Sequence, residues 1–217
     1  MHNIDVHVIH MPNENPVWVD ACIDSLARQP VNIHHISGTV GDIRQSRYDG
    51  FQRGTADYVS YVDLDDLVHP NAFERLYEQL SNASHLSAVY STSLLIDEHG
   101  NEHGLIHPYR RWCSENLMRC SAEVHQLVLA RRDIMLAVYD EWWDEIPPLV
   151  YTELFVNATM GAIQPLRAVD VVGYSWRRHQ TNAHLTNPYS AAEHSRIFNH
   201  AQRMWVQADR MVEMFGG

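Results

Sequence analysis

Tyr58-Val59-Ser60-Tyr61-Val62-Asp63-Leu64-Asp65-Asp66 is the stretch from which the fold is read. Five residues suited to a pleated, covered surface lead directly into three carboxylates. The run predicts a buried strand with charge at its end, and in open α/β sheets ligands bind in the crevice beyond the strand ends. Carboxylates this close repel each other and raise each other's pKa. A hard divalent cation relieves that conflict, since Mg²⁺ and Mn²⁺ take oxygen ligands. The plainer alternative is that Asp65 or Asp66 caps a following helix. Capping accounts for one acid but not for three after a strand, so metal binding is the expectation.

The flanks extend this into a strand–turn–helix unit. His69-Pro70-Asn71 breaks the chain, and Pro suits a first helical turn. Phe73, Leu76, Tyr77 and Leu80 then recur at helical spacing, which predicts a helix covering the sheet. Upstream, Ile4 to Ile9 reads as a strand, Val17 to Arg28 as a helix and Val31 to Ser37 as a His-rich strand. Asp42 to Gly54 reads as a helix closed by Gly. A further strand is expected over Ala88 to Ile96, with a turn at 97–101. This βαβαβαβ order predicts an α/β fold with a mostly parallel central sheet and right-handed crossovers.

The second half is less regular. An apolar run, Leu127 to Ala130, precedes a helix ending near Trp143, and Pro147-Pro148 stops the chain. Thr152 to Met160 predicts a short helix, and Val169 to Trp176 a strand running into Arg177-Arg178-His179. Ser190-x-x-Glu193 matches a capping box. Apolar spacing from Ala191 to Phe215 predicts a C-terminal helix packed on the domain, with a homodimer seam as the sharper alternative.

Composition excludes several chemistries. None of the 217 residues is lysine, so all 16 basic residues are Arg. A P-loop lysine, a Schiff-base lysine and a Ser–Lys dyad are therefore impossible. Contacts to phosphate must come from Arg, backbone amides, a helix N-terminus or metal. A net charge of −11 argues against a broad nucleic-acid surface. No run of 18 apolar residues suggests a membrane span, and the N-terminus reads as a strand and not a signal peptide. Cys22, Cys113 and Cys120 form no CxxC pair, which fits reduced thiols and a cytoplasmic location. A zinc site from Cys113, Cys120 and His125 has poor spacing.

Gly54 to Pro70, placed after about sixty residues of alternating strand and helix, resembles the acidic segment of family 2 glycosyltransferases with the GT-A fold. The resemblance runs from Ile4 to about Leu185. It implies one domain over 1–217: a nucleotide-sugar-binding half (1–100), an acceptor and catalytic half (101–185) and a C-terminal helix (186–217). It implies Mn²⁺ or Mg²⁺ on the diphosphate of a nucleotide-sugar donor. Asp65 would ligate the metal, Asp63 would face the ribose or sugar, and Asp66 would lie behind them or contact the sugar.

Tyr151-Thr152-Glu153 opens a helix where relatives carry a general base, so Glu153 would deprotonate the acceptor hydroxyl in an inverting transfer. Asp144 and Glu145 are fallback bases, and complementing a helix N-terminus is the plainer role for Glu153. Tyr174 to Asn182 resembles a second family segment, in which His179 would complete the metal shell and Arg177 would face the diphosphate. A solvated charge cluster is the alternative for Arg177-Arg178-His179. Arg44 and Arg47 resemble a third segment and would approach the phosphates.

The loop after the second strand, His35 to Thr39, lacks the family's acid, which leaves base recognition to Asp42 or the Pro12-Asn13 turn. Trp112, Trp142 and Trp143 could offer flat faces for a sugar or acceptor, although core packing is the first expectation for such residues. The acceptor is open among glycan, protein, small molecule and modified nucleobase.

Two other classes compete. A haloacid-dehalogenase-like phosphatase also has a strand ending in Asp-x-Asp, but its phosphate-binding lysine is impossible here. A non-catalytic nucleotide- or glycan-binding descendant would keep Asp63 and Asp65 and need no base.

Overall fold

The computed structural model describes residues 3–106, 124, 126–149, 151–180, 182, 192–193, 195–197 and 199–204. Its first half alternates as the sequence predicts: β1 (Ile4–His10), α1 (Pro16–Leu26), β2 (Asn32–Ser37), α2 (Ile43–Phe51) and β3 (Tyr58–Val62). Then come β4 (Leu67–Val68), α3 (Ala72–Ser81), β5 (Ala88–Ile96) and β6 (Glu102–Ile106). After them follow β7 (Val128–Arg131), α4 (Arg132–Trp142), α5 (Thr152–Ile163) and β8 (Leu166–Arg177).

Local chemistry fixes the helix starts. Asn15 accepts a hydrogen bond from Val17 N (3.0 Å) and Pro16 takes the first position of α1, where a missing N–H costs nothing. Asp42 caps α2 by accepting from Gln45 N at 3.0 Å. On α3, Phe73, Leu76 and Leu80 are fully buried. Each such side chain contributes about 1.5–3 kcal/mol by leaving water.

The strands alternate cleanly between two cores. Val59 and Tyr61 of β3, with Val128 and Ala130 of β7, pack against α2, α4 and α5. Tyr58, Val62 and Leu129 face the other way, onto α1 and α3. The sheet is thus covered on both faces.

Its order is β2-β1-β3-β7-β5-β8-β4, with β6 paired to β5. The pairings β1–β2, β1–β3 and β5–β8 are parallel. The other four, β3–β7, β4–β8, β5–β6 and β5–β7, are antiparallel. The sheet is therefore mixed and not mostly parallel. The reason is β7. It inserts between β3 and β5, which run in the same direction, and pairs antiparallel to both. A short apolar run such as Leu127 to Ala130 carries no mark of direction, so sequence alone does not orient it.

The expected C-terminal helix is not established. Residues 192–193, 195–197 and 199–204 have helical backbone, and Ile197 and Ala201 join the α4–α5 core. The remainder of that segment, with its dimer seam, lies outside the described residues, as do Trp112, Cys113, Cys120 and His125.

Candidate functional site

β1, β2 and β3 run parallel, so their C-terminal ends share one edge of the sheet. The acid motif lies there. Asp63 leaves β3, and a turn closed by Asp66 N donating to Asp63 O (3.1 Å) carries the chain into β4. β4 pairs with β8 near its end, which brings Tyr174 to His179 beside the acids. The start of α5 brings Glu153.

Arg47 joins these parts. Its Nη2 donates to Asp63 Oδ1 (2.5 Å) and its Nε to Glu153 Oε1 (3.0 Å), while its guanidinium lies 3.8 Å from the centre of the Tyr61 ring. Arg47 is 2% exposed, whereas Asp63 and Glu153 keep 34% and 27%. Burial works against the charge of Arg47, but Asp63 and Glu153 outweigh it and hold the guanidinium protonated. Burial pushes the Glu153 carboxyl above its ordinary value; Arg47 pulls it down and Asp63 pushes it up again. Among the described residues, Arg47 Nη1 is buried without a hydrogen-bond partner.

The other oxygen of Asp63 accepts from Gln126 Nε2, and its amide donates to the Tyr174 hydroxyl at 3.2 Å. Asp66 has a structural post. It is 1% exposed and accepts from Arg177 N at 2.6 Å, tying the acid turn to β8. Burial, then Asp65 and Asp63, push its carboxyl well above the ordinary range.

Asp65 and His179 meet directly, with Oδ2 and Nε2 2.8 Å apart. Asn182 steadies the His179 backbone, its Oδ1 accepting from His179 N at 2.7 Å, and the Trp18 ring lies 4.8 Å from the imidazole. Arg177 donates from Nε to Asp65 O (2.7 Å) and from Nη1 to Asp97 O (3.1 Å). These bonds spend two of its nitrogens on backbone carbonyls.

Among the described residues, no group of three or more His, Cys, Asp or Glu converges as metal ligands. Carboxylate and imidazole nevertheless suit Mn²⁺, and a Mg²⁺-type site needs only one or two protein ligands when substrate phosphates supply the rest. The Asp65–His179 pair fits that donor set.

The remaining candidates are placed differently. Arg44 donates to the carbonyls of Trp143 (3.0 Å) and Ile146 (3.3 Å) and to Asp42 (3.1 Å), and stacks 4.3 Å over Trp143. It anchors the loop before α5, and the described contacts do not link it to the acids. Asp42 is engaged as cap and Arg44 partner. Pro12 is exposed in the turn after β1. Asp144 and Glu145 are exposed beyond α4 and make no described contact with Arg47. Trp142 packs edge-on against His200 at 4.6 Å, within the core rim.

Sequence reasoning missed several residues. His10 and His35 stack 5.1 Å apart at the C-terminal ends of β1 and β2, with Glu14 3.4 Å from His10. The His-rich second strand was the available signal. Gln126 carried none, because only the fold brings it to Asp63. Trp18 could have been noticed as an aromatic near the start of α1, on the crevice side.

No family model and no curated protein matches the sequence. Solved structures do. The chain is similar to S. aureus TarS 1–349 in complex with UDP-GlcNAc, with a TM-score of 0.66 and 11% identity over 99% of this chain and 73% of that one. For TarS 1–349 in complex with UDP the TM-score is 0.59 at 11% identity, over 93% and 71% of the two chains. A longer TarS structure gives 0.57 at 10%, where 94% of this chain spans only 43% of the other. At such identity the likeness concerns architecture, and in architecture this chain has a GT-A-like fold.

Proposed function

We propose that the chain transfers a sugar from a nucleoside-diphosphate donor to an acceptor hydroxyl, with inversion at the anomeric carbon. The observation that carries this reading is the bridge from Asp63 through Arg47 to Glu153. It brings the acid motif at the end of β3 within one guanidinium of a carboxylate that can serve as base. Structures of similar fold are described with UDP-GlcNAc and UDP, which supports a nucleotide-sugar donor.

In this reading Asp63 faces the donor's ribose or sugar. Asp65 and His179 would hold Mn²⁺ or Mg²⁺, which would supply positive charge against the donor's diphosphate. Arg177 backs the same corner, orienting Asp65 through its carbonyl. Glu153 takes the proton of the acceptor hydroxyl while that oxygen bonds to the anomeric carbon. The bond from that carbon to the diphosphate oxygen breaks, and its electron pair leaves with the nucleotide. His10, His35 and the Pro12 turn line the strand ends where the base would lie.

A thermal-shift panel of nucleoside diphosphates and sugar nucleotides, with and without Mn²⁺, tests the reading. The expected result is a rise in melting temperature that needs both the metal and one nucleotide, and that disappears in Asp65→Ala. Equal shifts in Asp65→Ala and wild type would overturn the metal assignment. No shift from any sugar nucleotide would overturn the donor class.

A further inference from the structure

We propose that Arg47 is a positioning residue for the transfer, registering the Glu153 base against the acid motif across the crevice. The inference rests on the functional reading above and assigns a specific task within it. The resemblance to known transferases suggested that Arg47 reaches the donor phosphates; its geometry suggests a different duty.

Three surfaces of the guanidinium are committed. Nε holds Glu153, Nη2 holds Asp63 and one face lies on the Tyr61 ring. A guanidinium is planar and rigid, so its edges fix the two carboxylates relative to each other in distance and angle. A lysine ammonium is a point charge and imposes no such fork. The bond to Glu153 uses Oε1, and the second oxygen can then take the acceptor proton.

The arginine itself cannot wander. Arg44 and Arg47 are three residues apart on α2 and so share a helical face. Arg44 grips the carbonyls of Trp143 and Ile146, and Ile43 N donates to Pro148 O at 2.7 Å. One face of α2 thus secures the loop that leads into α5 and, one turn later, the first carboxylate of α5. One turn further along α2, Gly50 lies against the His7 ring, where a Cβ would collide. Helix, loop and base form one block.

Among the described residues, the charged and titratable groups bearing on Glu153 are Arg47 from α2, Asp63 and Tyr61 from β3 and its end, and Tyr139 from α4. Arg47 is the cation among them. Without it, burial and Asp63 favour the protonated acid, opposed by the smaller pull of a backbone hydrogen bond at Glu153. A base must be unprotonated to act, so the acid limb of the rate profile moves to higher pH when Arg47 is neutralised.

The experiment measures UDP release from UDP-GlcNAc, or nucleotide release from whichever donor the thermal panel selects, with Mn²⁺ and across pH. It compares wild type, Arg47→Met and Arg47→Lys, after melting curves confirm folding. Arg47→Met is expected to lose about 10²-fold in kcat, the usual scale for a displaced catalytic group, and to shift the acid limb upward. Arg47→Lys keeps the charge without the fork, so it should return the limb toward wild type while recovering little of kcat.

Wild-type kcat and an unmoved limb in both variants would overturn the proposal. So would a loss of kcat with an unmoved limb, which describes a merely structural arginine. If Arg47→Met does not fold, Glu153→Asp decides. Withdrawing the carboxylate by one methylene should cut kcat about 10²-fold with donor KM unchanged, and wild-type kcat would overturn registration. A wild type that releases nucleotide from no donor overturns the functional reading itself, and the role of Arg47 falls with it.

Discussion

At the N-terminal end of β1, Arg132 binds Asp5; at the C-terminal end of β3, Arg47 binds Asp63. Both arginines lie on the same face of the sheet, against carboxylates of neighbouring strands. Every nitrogen of Arg132 is satisfied: Nε by Ala56 O (2.5 Å), Nη1 by Phe51 O and Arg53 O, and Nη2 by Asp5. Asp5 in turn also accepts from Asn32, His34 and the Ala56 amide. Arg47 keeps one buried nitrogen without a partner among the described residues, and its two carboxylates remain partly open to water. The difference separates a closed lock from a site. A buried polar network completed within the protein stabilises it, whereas one left incomplete retains capacity for something else.

The contrast can be broken most sharply at the lock. Arg132→Met strands a buried Asp5 and three carbonyls, and urea unfolding should show a loss of about 3–5 kcal/mol. A loss within about 0.5 kcal/mol, as at an ordinary surface site, would show that Asp5 is satisfied without it. Next comes the site. Glu153→Gln should lower transfer by about 10²-fold or more while donor-induced thermal shifts persist. Retained transfer would move the base elsewhere.

Gly54→Ala has a smaller effect, about 1–3 kcal/mol of stability. Its φ is +71° and a Cβ would collide with the Asp5 carboxylate, so strain and packing act together. An unchanged midpoint would mean that the Asp5 end yields more readily than its contacts imply.

The smallest effect is the pH dependence, in which the two ends have opposite signs. Burial alone would raise Asp5, but His34, the Ala56 amide and Asn32 outweigh it and lower its pKa from the ordinary 3.8. Its contribution is present above that value and is lost as pH falls through the lowered one. Glu153 is raised from 4.5, chiefly by burial, so its contribution is complete below 4.5 and is lost as pH rises through the raised value. Urea titrations of Asp5→Asn and Glu153→Gln against wild type should therefore differ in opposite directions with pH. Differences of the same sign would remove the distinction between the two ends.

Much of this was legible from residue patterns. The acid-tipped strand, the Pro-bounded α3 and the first three parallel strands follow from alternation, breakers and caps. Glu153 at the opening of α5 was equally visible. The insertion of β7 was not, because four apolar residues give burial without direction. The Arg132 lock was missed although half its signal was present: Asp5, placed inside an apolar strand, demands a buried partner. Nothing nearby identifies that partner, which lies 127 positions along the chain. For the same reason Gln126 became readable only once the fold had brought it to Asp63.

The inserted β7 carries one more consequence. Two residue pairs hold it to β3 and three hold it to β5, so the join between the two halves of the sheet is short. A mechanical load would tear the sheet along this line. The acid turn crosses it: Asp66 takes the amide of Arg177 at the far end of β8, and Asp65 reaches His179 just beyond it. The motif first noticed for its charge is also the rivet that fastens one half of the molecule to the other.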